Sequence, residues 1–312
     1  MNPQAQIPGV GKERTVSETA AFTACILLFH LLVLLLAPSL CRAIEDPYLH
    51  IAALKVFQAV ACLLPALLFR LWGDAREPAP LIKKRGERFL CSFVALAVVS
   101  GGLQLNVSVN EFFSSLGLSL SRQGSTVVFY GAFGVAFTAF VYVVIPAVCE
   151  EVFFRYTLFY SFGGTKTAAI LSAFCFAFSH LQISGFLYAL IAGIALGLLV
   201  YATRRLLPAI LLHGALNAVT LLLVYLSRLL PAETYLMTET AIWFAILAAG
   251  TGCALFLSGR LFRRRRETAS TVIDPEIAPV PLRDRPMPLA FWIVAAGYLA
   301  VAGAVMIGKR LI

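Results

Sequence analysis

Residues 147–155 read AVCEEVFFR, which places two adjacent carboxylates and an arginine inside a long apolar run. Each ionised group at the centre of a spanning helix costs about 2.5–3.5 kcal/mol on insertion scales. The apolar residues on both sides predict a membrane-spanning helix, and this helix decides the fold class. A span that keeps three ionisable groups indicates that these groups have a function.

The composition of the whole chain supports a membrane protein. Of its 312 residues, 60% are hydrophobic and 13% are charged, whereas about a quarter are charged in soluble domains. We therefore predict an all-α, polytopic transmembrane helical bundle embedded in a lipid bilayer. The basic residues flank apolar runs, which argues against nucleic-acid binding. The seven cysteines include no CxxC pair, so we expect neither disulfides nor a zinc–thiolate cluster.

Apolar runs of about 20 residues predict eight or nine spans. The nine candidates are 20–41, 49–72, 89–109, 127–149 (continuing as helix to 160), 167–182, 184–203, 206–228, 240–258 and 289–307. They divide the chain into a disordered cytoplasmic tail (1–18), spans one to three with a polar outer segment at 110–125 (19–125), a core of spans four to seven (126–228), span eight (229–259), an extended basic, Pro-rich cytoplasmic linker (260–288) and a C-terminal span (289–312).

The distribution of lysine and arginine predicts the orientation. With the N-terminus in the cytoplasm, inner segments hold 18 of the 25 basic residues and outer segments hold five. Cytoplasmic loops are enriched in lysine and arginine, so this bias supports a cytoplasmic N-terminus.

Polar side chains on later spans are predicted to reach the depth of Glu150. At 1.5 Å per helical residue, Glu150 lies about 20 Å and His180 about 21 Å from the turn that joins spans four and five. His213 and Asn217 share one face of span seven, about 12 and 18 Å from its cytoplasmic end. Three helices thus bring polar groups to a similar level, which predicts a single site.

Spacing separates the two carboxylates in role. Glu151 and Arg155 are an i,i+4 pair in the favoured order, so we expect a supporting ion pair. Glu150 is then the free carboxylate. The two acids point about 100° apart on a helix, so both are not expected to face one narrow cavity. Pro146 is expected to kink the helix just before the site.

These residue types suit acid–base chemistry. A carboxylate sheltered from bulk water is a good general base, and a neutral histidine can share the proton of a water molecule. A second histidine and an amide can stabilise an oxyanion. The alternative is Zn²⁺ held by Glu150, His180 and His213, because two histidines and a carboxylate are a common zinc triad. The sequence contains no H-E-x-x-H motif.

Other polar or small residues within the spans receive structural interpretations. Lys55 is expected to snorkel outward from span two. His30 and His50 are expected to have structural or interfacial roles. Gly193 and Gly197 form a GxxxG motif that packs helices within the fold, with a dimer face as the alternative.

Three ordered motifs resemble those of the CPBP intramembrane proteases, which include type II CAAX prenyl endopeptidases and bacteriocin-processing relatives. The motifs are Glu150-Glu151-x-x-x-Arg155, Phe176-x-x-x-His180 and His213-x-x-x-Asn217. The resemblance covers residues 126–228 and implies a helical membrane endopeptidase. By this resemblance, Glu150 and His180 activate water and His213 with Asn217 forms the oxyanion hole. We expect a metal-free mechanism, since an amide serves an oxyanion better than a metal.

We therefore expect an integral protein of a prokaryotic cytoplasmic (inner) membrane that hydrolyses a membrane-associated protein or peptide. Two other classes of function remain open at this stage. One is a non-catalytic scaffold or immunity protein of the same fold. The other is a proton-coupled transporter, because buried carboxylates and histidines also relay protons. The chain shows no internal repeat and no matched pair of interrupted helices, features that many transporters have.

Overall fold

The computed structural model describes residues 16–72, 80–82, 84–118, 128–271, 296 and 298–299. Across these residues the regular structure is helical, without strands. Eight helices follow in order: α1 (Val16–Leu40), α2 (Pro47–Trp72), α3 (Arg85–Ser115), α4 (Gly131–Ser161), α5 (Lys166–Ser179), α6 (Phe186–Thr203), α7 (Leu207–Leu229) and α8 (Ala232–Thr271).

Seven of these helices are long and apolar enough to cross a membrane, and α5 is a shorter apolar helix. The chain is therefore an integral membrane protein built as a helical bundle, as predicted. Each of the first eight predicted spans corresponds to one helix. The ninth candidate, 289–307, and the tail before Val16 lie outside the described residues, apart from 296, 298 and 299.

Hydrogen bonds between loops show which helix ends lie together. Arg204 Nη1 donates to the carbonyl oxygen of Gly164 at 2.7 Å, and the N–H of Ile82 donates to Ala202 O at 3.0 Å. The turns before α3, α5 and α7 therefore share one end of the bundle, the end at which basic residues are concentrated. At the opposite end, Asn110 Nδ2 donates to Ser184 O at 2.9 Å.

Helix α4 occupies the middle of the bundle and packs against α2, α5 and α7. Most side chains of its second half are enclosed by protein, with Phe153, Phe154, Leu158 and Phe159 all 0% exposed. The glutamates and Arg155 therefore lie among neighbouring helices and not against lipid. This enclosure explains how a spanning helix keeps three ionisable groups.

Small residues let α5 and α6 approach closely. A Cβ placed on Gly193 would lie 2.9 Å from Ala173 Cβ, and one on Gly197 would lie 3.1 Å from Ala169 O. The GxxxG motif of α6 thus faces a matching Ala-x-x-x-Ala stripe on α5. The prediction that this motif packs helices within the fold is confirmed.

We expect Gly193→Leu to destabilise the protein by at least about 1–3 kcal/mol, because the added side chain overpacks a closed interface. Thermal unfolding in detergent measures this loss. Gly252→Leu is the matched control, since nothing lies within 4 Å of a Cβ at Gly252 on α8. Equal melting temperatures for the two variants would contradict the proposed packing.

One predicted assignment is wrong. Helix α8 continues to Thr271, so the first part of the predicted linker 260–288 is helical and not extended. Helix α3 continues to Ser115, so the start of the predicted outer segment 110–125 is helical. Both helices extend past their apolar runs because polar and arginine side chains end a membrane-spanning run without ending a helix. The rest of the linker, 272–288, lies outside the described residues.

Candidate active site

The two glutamates lie on a short α-helical section of α4 between two π-helical sections, Phe140–Val144 and Val152–Leu158. Pro146 lies at the start of that section. A π-helical turn shifts the hydrogen-bond register by one residue, and such turns are frequent at functional sites. The disturbance predicted from Pro146 therefore takes the form of two changes in helical register around the carboxylates.

Glu151 is fully buried and has two partners. Its Oε1 atom lies 3.1 Å from Arg155 Nη1 and 2.8 Å from His213 Nδ1. The predicted Glu151–Arg155 ion pair is present. The contact with His213 was not predicted, and it ties α4 to α7. Because a carboxylate accepts hydrogen bonds, Nδ1 of His213 is the donor in this contact.

Arg155 is held by charge and by aromatic rings. It is 0% exposed, and its guanidinium lies 4.3 Å from the centre of the Phe176 ring and 5.8 Å from that of Phe154. Its Nε and Nη atoms make no aligned hydrogen bond within the described part of the chain, although Nη1 is within ion-pair distance of Glu151. Attraction to the ring faces, about 2 kcal/mol in a desolvated setting, offsets part of its desolvation.

Glu150 is not paired with Arg155, but one of its two oxygens makes a hydrogen bond that the sequence did not predict. Its Oε1 atom accepts a hydrogen bond from Gln58 Nε2 at 2.7 Å. Its Oε2 atom lies 3.8 Å from His213 Nε2, and its side chain keeps 13% of its surface exposed. Glu150 is therefore accessible to a small molecule such as water, whereas Glu151 is fully buried.

The His213 ring lies between the two carboxylates, with Nδ1 toward Glu151 and Nε2 toward Glu150. The 100° divergence of the two acids was expected to keep them from facing one cavity. One imidazole ring can nevertheless contact both acids, because its two nitrogens point in different directions. Since Nδ1 already donates to Glu151, Nε2 can donate to a third group only when the ring carries both protons.

His180 lies at the C-terminal end of α5. Its Nδ1 atom donates to the carbonyl oxygen of Phe176 at 2.8 Å, which leaves Nε2 with its lone pair in the neutral ring. The Phe176 ring stands between the two histidines, 4.7 Å from His180 and 6.0 Å from His213. No ion pair within 4 Å joins His180 to Glu150 among the described side chains.

The chain leaves its helical path directly after His180. Helix α5 has 14 residues, about 21 Å, which is shorter than the roughly 30 Å hydrocarbon core. Leu181 then adopts a left-handed φ of 51°, which costs about 1–2 kcal/mol for a residue with a Cβ. Asn110 bonds Ser184 O, and Asn106 Oδ1 accepts from the Tyr188 N–H at 3.3 Å. Helix α3 thus satisfies backbone groups that this break leaves open.

The remaining sequence-predicted residues take varied positions. Asn217 is half-buried one helical turn after His213 on α7. His30 is buried, stacks on Phe153 at 4.1 Å and makes a hydrogen bond through Nδ1 to Ala61 O at 3.2 Å. His50 bonds Cys41 O at 3.1 Å. These contacts agree with the structural roles expected for His30 and His50.

The candidate zinc ligands are not grouped around one point. Within the described ranges, no three His, Cys, Asp or Glu side chains are grouped so that they could hold a metal ion. Glu150, His180 and His213 are therefore not assembled as a ligand set in this conformation. Both histidines use Nδ1 for a protein oxygen and leave Nε2 outside that contact.

Comparison with known proteins finds a family match for part of the chain. Residues 132–219 match the family model described as type II CAAX prenyl endopeptidase Rce1-like. This match supports membership of the CPBP family. No curated protein and no solved structure matches the chain. At the general level, the matched family model implies a membrane peptidase that acts on peptide substrates.

The segment matched to the CPBP family begins in α4 and ends in α7, so it contains the six residues singled out from the sequence. Contacts to the site from outside this segment come from α2, through Gln58 and Lys55. Lys55 Nζ donates to Gln58 Oε1 at 2.9 Å and faces the Tyr142 ring at 5.3 Å. The expectation that Lys55 snorkels outward is wrong, because its ammonium turns toward the site. The available signal was the i,i+3 spacing of two polar residues in a predicted span.

Proposed function

We propose that the chain is an intramembrane endopeptidase that hydrolyses one peptide bond of a membrane-associated protein or peptide. The observation that carries this proposal is the His213 ring, which lies between a sealed and a reachable carboxylate in the segment that matches a peptidase family. A scaffold would need no exposed surface on Glu150. A purely structural ion pair would be complete with Glu151 and Arg155.

The proposed chemistry assigns one role to each group. Glu150 takes a proton from water as the water oxygen attacks the carbonyl carbon, and His180 Nε2 helps to orient that water. His213, carrying both ring protons, donates from Nε2 to the developing oxyanion, and Asn217 donates from its amide. The proton on Glu150 then passes to the leaving nitrogen as the carbon–nitrogen bond breaks. Glu151 and Arg155 hold His213 in this orientation.

The proposed mechanism uses no metal. Within the described residues, Glu150, His180 and His213 are not grouped as a ligand set. We expect activity to survive a strong chelator, with less than one equivalent of zinc per chain in the purified protein. Loss of activity on chelation, restored by Zn²⁺, would contradict the metal-free mechanism while leaving the endopeptidase function intact.

The proposed setting is a prokaryotic cytoplasmic membrane with the N-terminus in the cytoplasm. This orientation puts the turn Gly163–Lys166 and Arg204, which are joined by a hydrogen bond, on the positively charged cytoplasmic side. A fluorescent or protease-accessible tag at the N-terminus reports the side directly. A periplasmic tag would contradict the assignment.

The test of function is reconstitution of the protein in liposomes with three membrane-anchored peptides: a C-terminally prenylated peptide, a leader peptide and a C-terminal sorting tail. We expect a single cut in at least one of them, detected by mass spectrometry. A pH-sensitive dye inside the same liposomes reports proton movement. Proton-coupled flux without cleavage would favour a transporter, and neither signal would favour a scaffold.

A further inference from the structure

Lys55, Gln58 and Glu150 form a connected chain of hydrogen bonds from α2 to α4. Lys55 Nζ lies 2.9 Å from Gln58 Oε1, and Gln58 Nε2 lies 2.7 Å from Glu150 Oε1. Both α2 residues lie outside the segment that matches the family model. We propose that Gln58 and Lys55 are positioning residues, which orient the Glu150 carboxylate for its role as a base. The inference rests on the function proposed above.

The chemistry of the three groups fixes the orientation of the amide. An ammonium can only donate hydrogen bonds, and an ionised carboxylate can only accept them. The Gln58 amide between them must therefore present its oxygen to Lys55 and its nitrogen to Glu150. Lys55 thus locks the amide so that its N–H points at Oε1.

This arrangement leaves one oxygen of Glu150 available. Oε1 is taken by Gln58, while Oε2 lies 3.8 Å from His213 Nε2, beyond hydrogen-bond distance. The amide also separates the Lys55 ammonium from the carboxylate. Glu150 is therefore influenced by a nearby positive charge without direct pairing, whereas Glu151 is paired directly with Arg155. A directly paired carboxylate would be a poorer base.

The position of Lys55 is costly without such a role. A lysine within a span costs about 2.5–3.5 kcal/mol on insertion scales, and its usual relief is to extend toward the membrane surface. Here the ammonium instead faces the Tyr142 ring and the Gln58 amide. The ammonium therefore stays inside the bundle, on the side where Glu150 lies, despite this free-energy cost.

The test measures kcat and KM of Gln58→Met, Lys55→Met and the double variant on a cleaved peptide. Loss of an oriented hydrogen bond to a charged group predicts a kcat lowered about tenfold to a hundredfold. KM should stay within about twofold, because the substrate is still bound. If the two residues act as one chain, the double variant should be no slower than the slower single variant. Lys55→Arg, which keeps the donor, should recover most of kcat.

Gln104→Met on α3 is the matched control, because Gln104 is also a half-buried glutamine within a span. It should leave kcat unchanged. Full kcat in Gln58→Met, or losses that multiply in the double variant, would overturn the inference. So would a loss confined to KM.

A melting experiment separates failure of this inference from failure of the proposed function, because it needs no proteolysis. Introduced into the wild type, Gln58→Met should shift the melting temperature. Introduced into Glu150→Met, where the hydrogen-bond acceptor is absent, it should cause a smaller shift. Coupling in melting without any peptidase activity would support the chain of hydrogen bonds and contradict the function. The same shift in both backgrounds would overturn the inference.

Discussion

Glu150→Gln lowers kcat about a thousandfold in our account, within the range for loss of a general base. Glutamine has the shape of glutamate and can still accept the hydrogen bond from Gln58, so the fold should persist. The amide cannot take a proton from water. Peptide cleavage by the purified variant, followed by mass spectrometry, measures the loss, and circular dichroism checks the fold.

The matched control is Glu233→Gln, which removes an exposed carboxylate from the first turn of α8. It should cleave at the wild-type rate. A Glu150→Gln variant that retains more than about a tenth of the wild-type kcat would exclude Glu150 as the general base.

Arg155→Met should destabilise the protein by about 3–5 kcal/mol, because Glu151 would be left buried without its positive partner. Both side chains are 0% exposed, so water cannot solvate the remaining charge. Unfolding in detergent with increasing denaturant measures the loss. Arg205→Met, at an exposed arginine in the turn before α7, should be nearly neutral.

A double variant tests whether the loss comes from the unpaired charge. Adding Glu151→Gln to Arg155→Met removes the buried carboxylate, so part of the stability should return. The double variant should be inactive, since Glu151→Gln removes the carboxylate that His213 contacts through Nδ1. A double variant less stable than Arg155→Met alone would show that Arg155 acts mainly through its packing on Phe176.

Much of the fold could be predicted from the sequence because the bilayer imposes a length and a charge rule on each span. Apolar runs located eight helices. The positions of lysine and arginine indicated which helix ends lie together, and the hydrogen bond between Arg204 and Gly164 joins two of these ends. The ends of α3 and α8 could not be predicted in the same way. Hydropathy reports where a helix leaves the hydrocarbon, whereas the helix itself stops where its backbone hydrogen bonds stop.

The candidate site was located from the depth of its residues in the membrane. Depth does not show how each helix is rotated about its own axis. Glu150 and His213 could be placed at one level, yet the two contacts of the His213 ring depend on how α4 and α7 face each other. The same limit explains Lys55, whose snorkelling was inferred from depth alone. Gln58, Asn106 and Asn110 were missed because neutral amides cost less in a span than charges do. Their partners are backbone or side-chain groups on other helices or in the turn between α5 and α6.

The central claim is that Glu150 activates water and does not attack the peptide itself. A single turnover in H₂¹⁸O, with enzyme in excess over a cleavable membrane-anchored peptide, tests it most directly. Our account predicts one ¹⁸O atom in the new carboxyl group of every product molecule and none in the proteolytic fragment that carries Glu150. Label in the Glu150 side chain, or a new carboxyl group that contains no ¹⁸O, would show a covalent acyl intermediate and contradict the account.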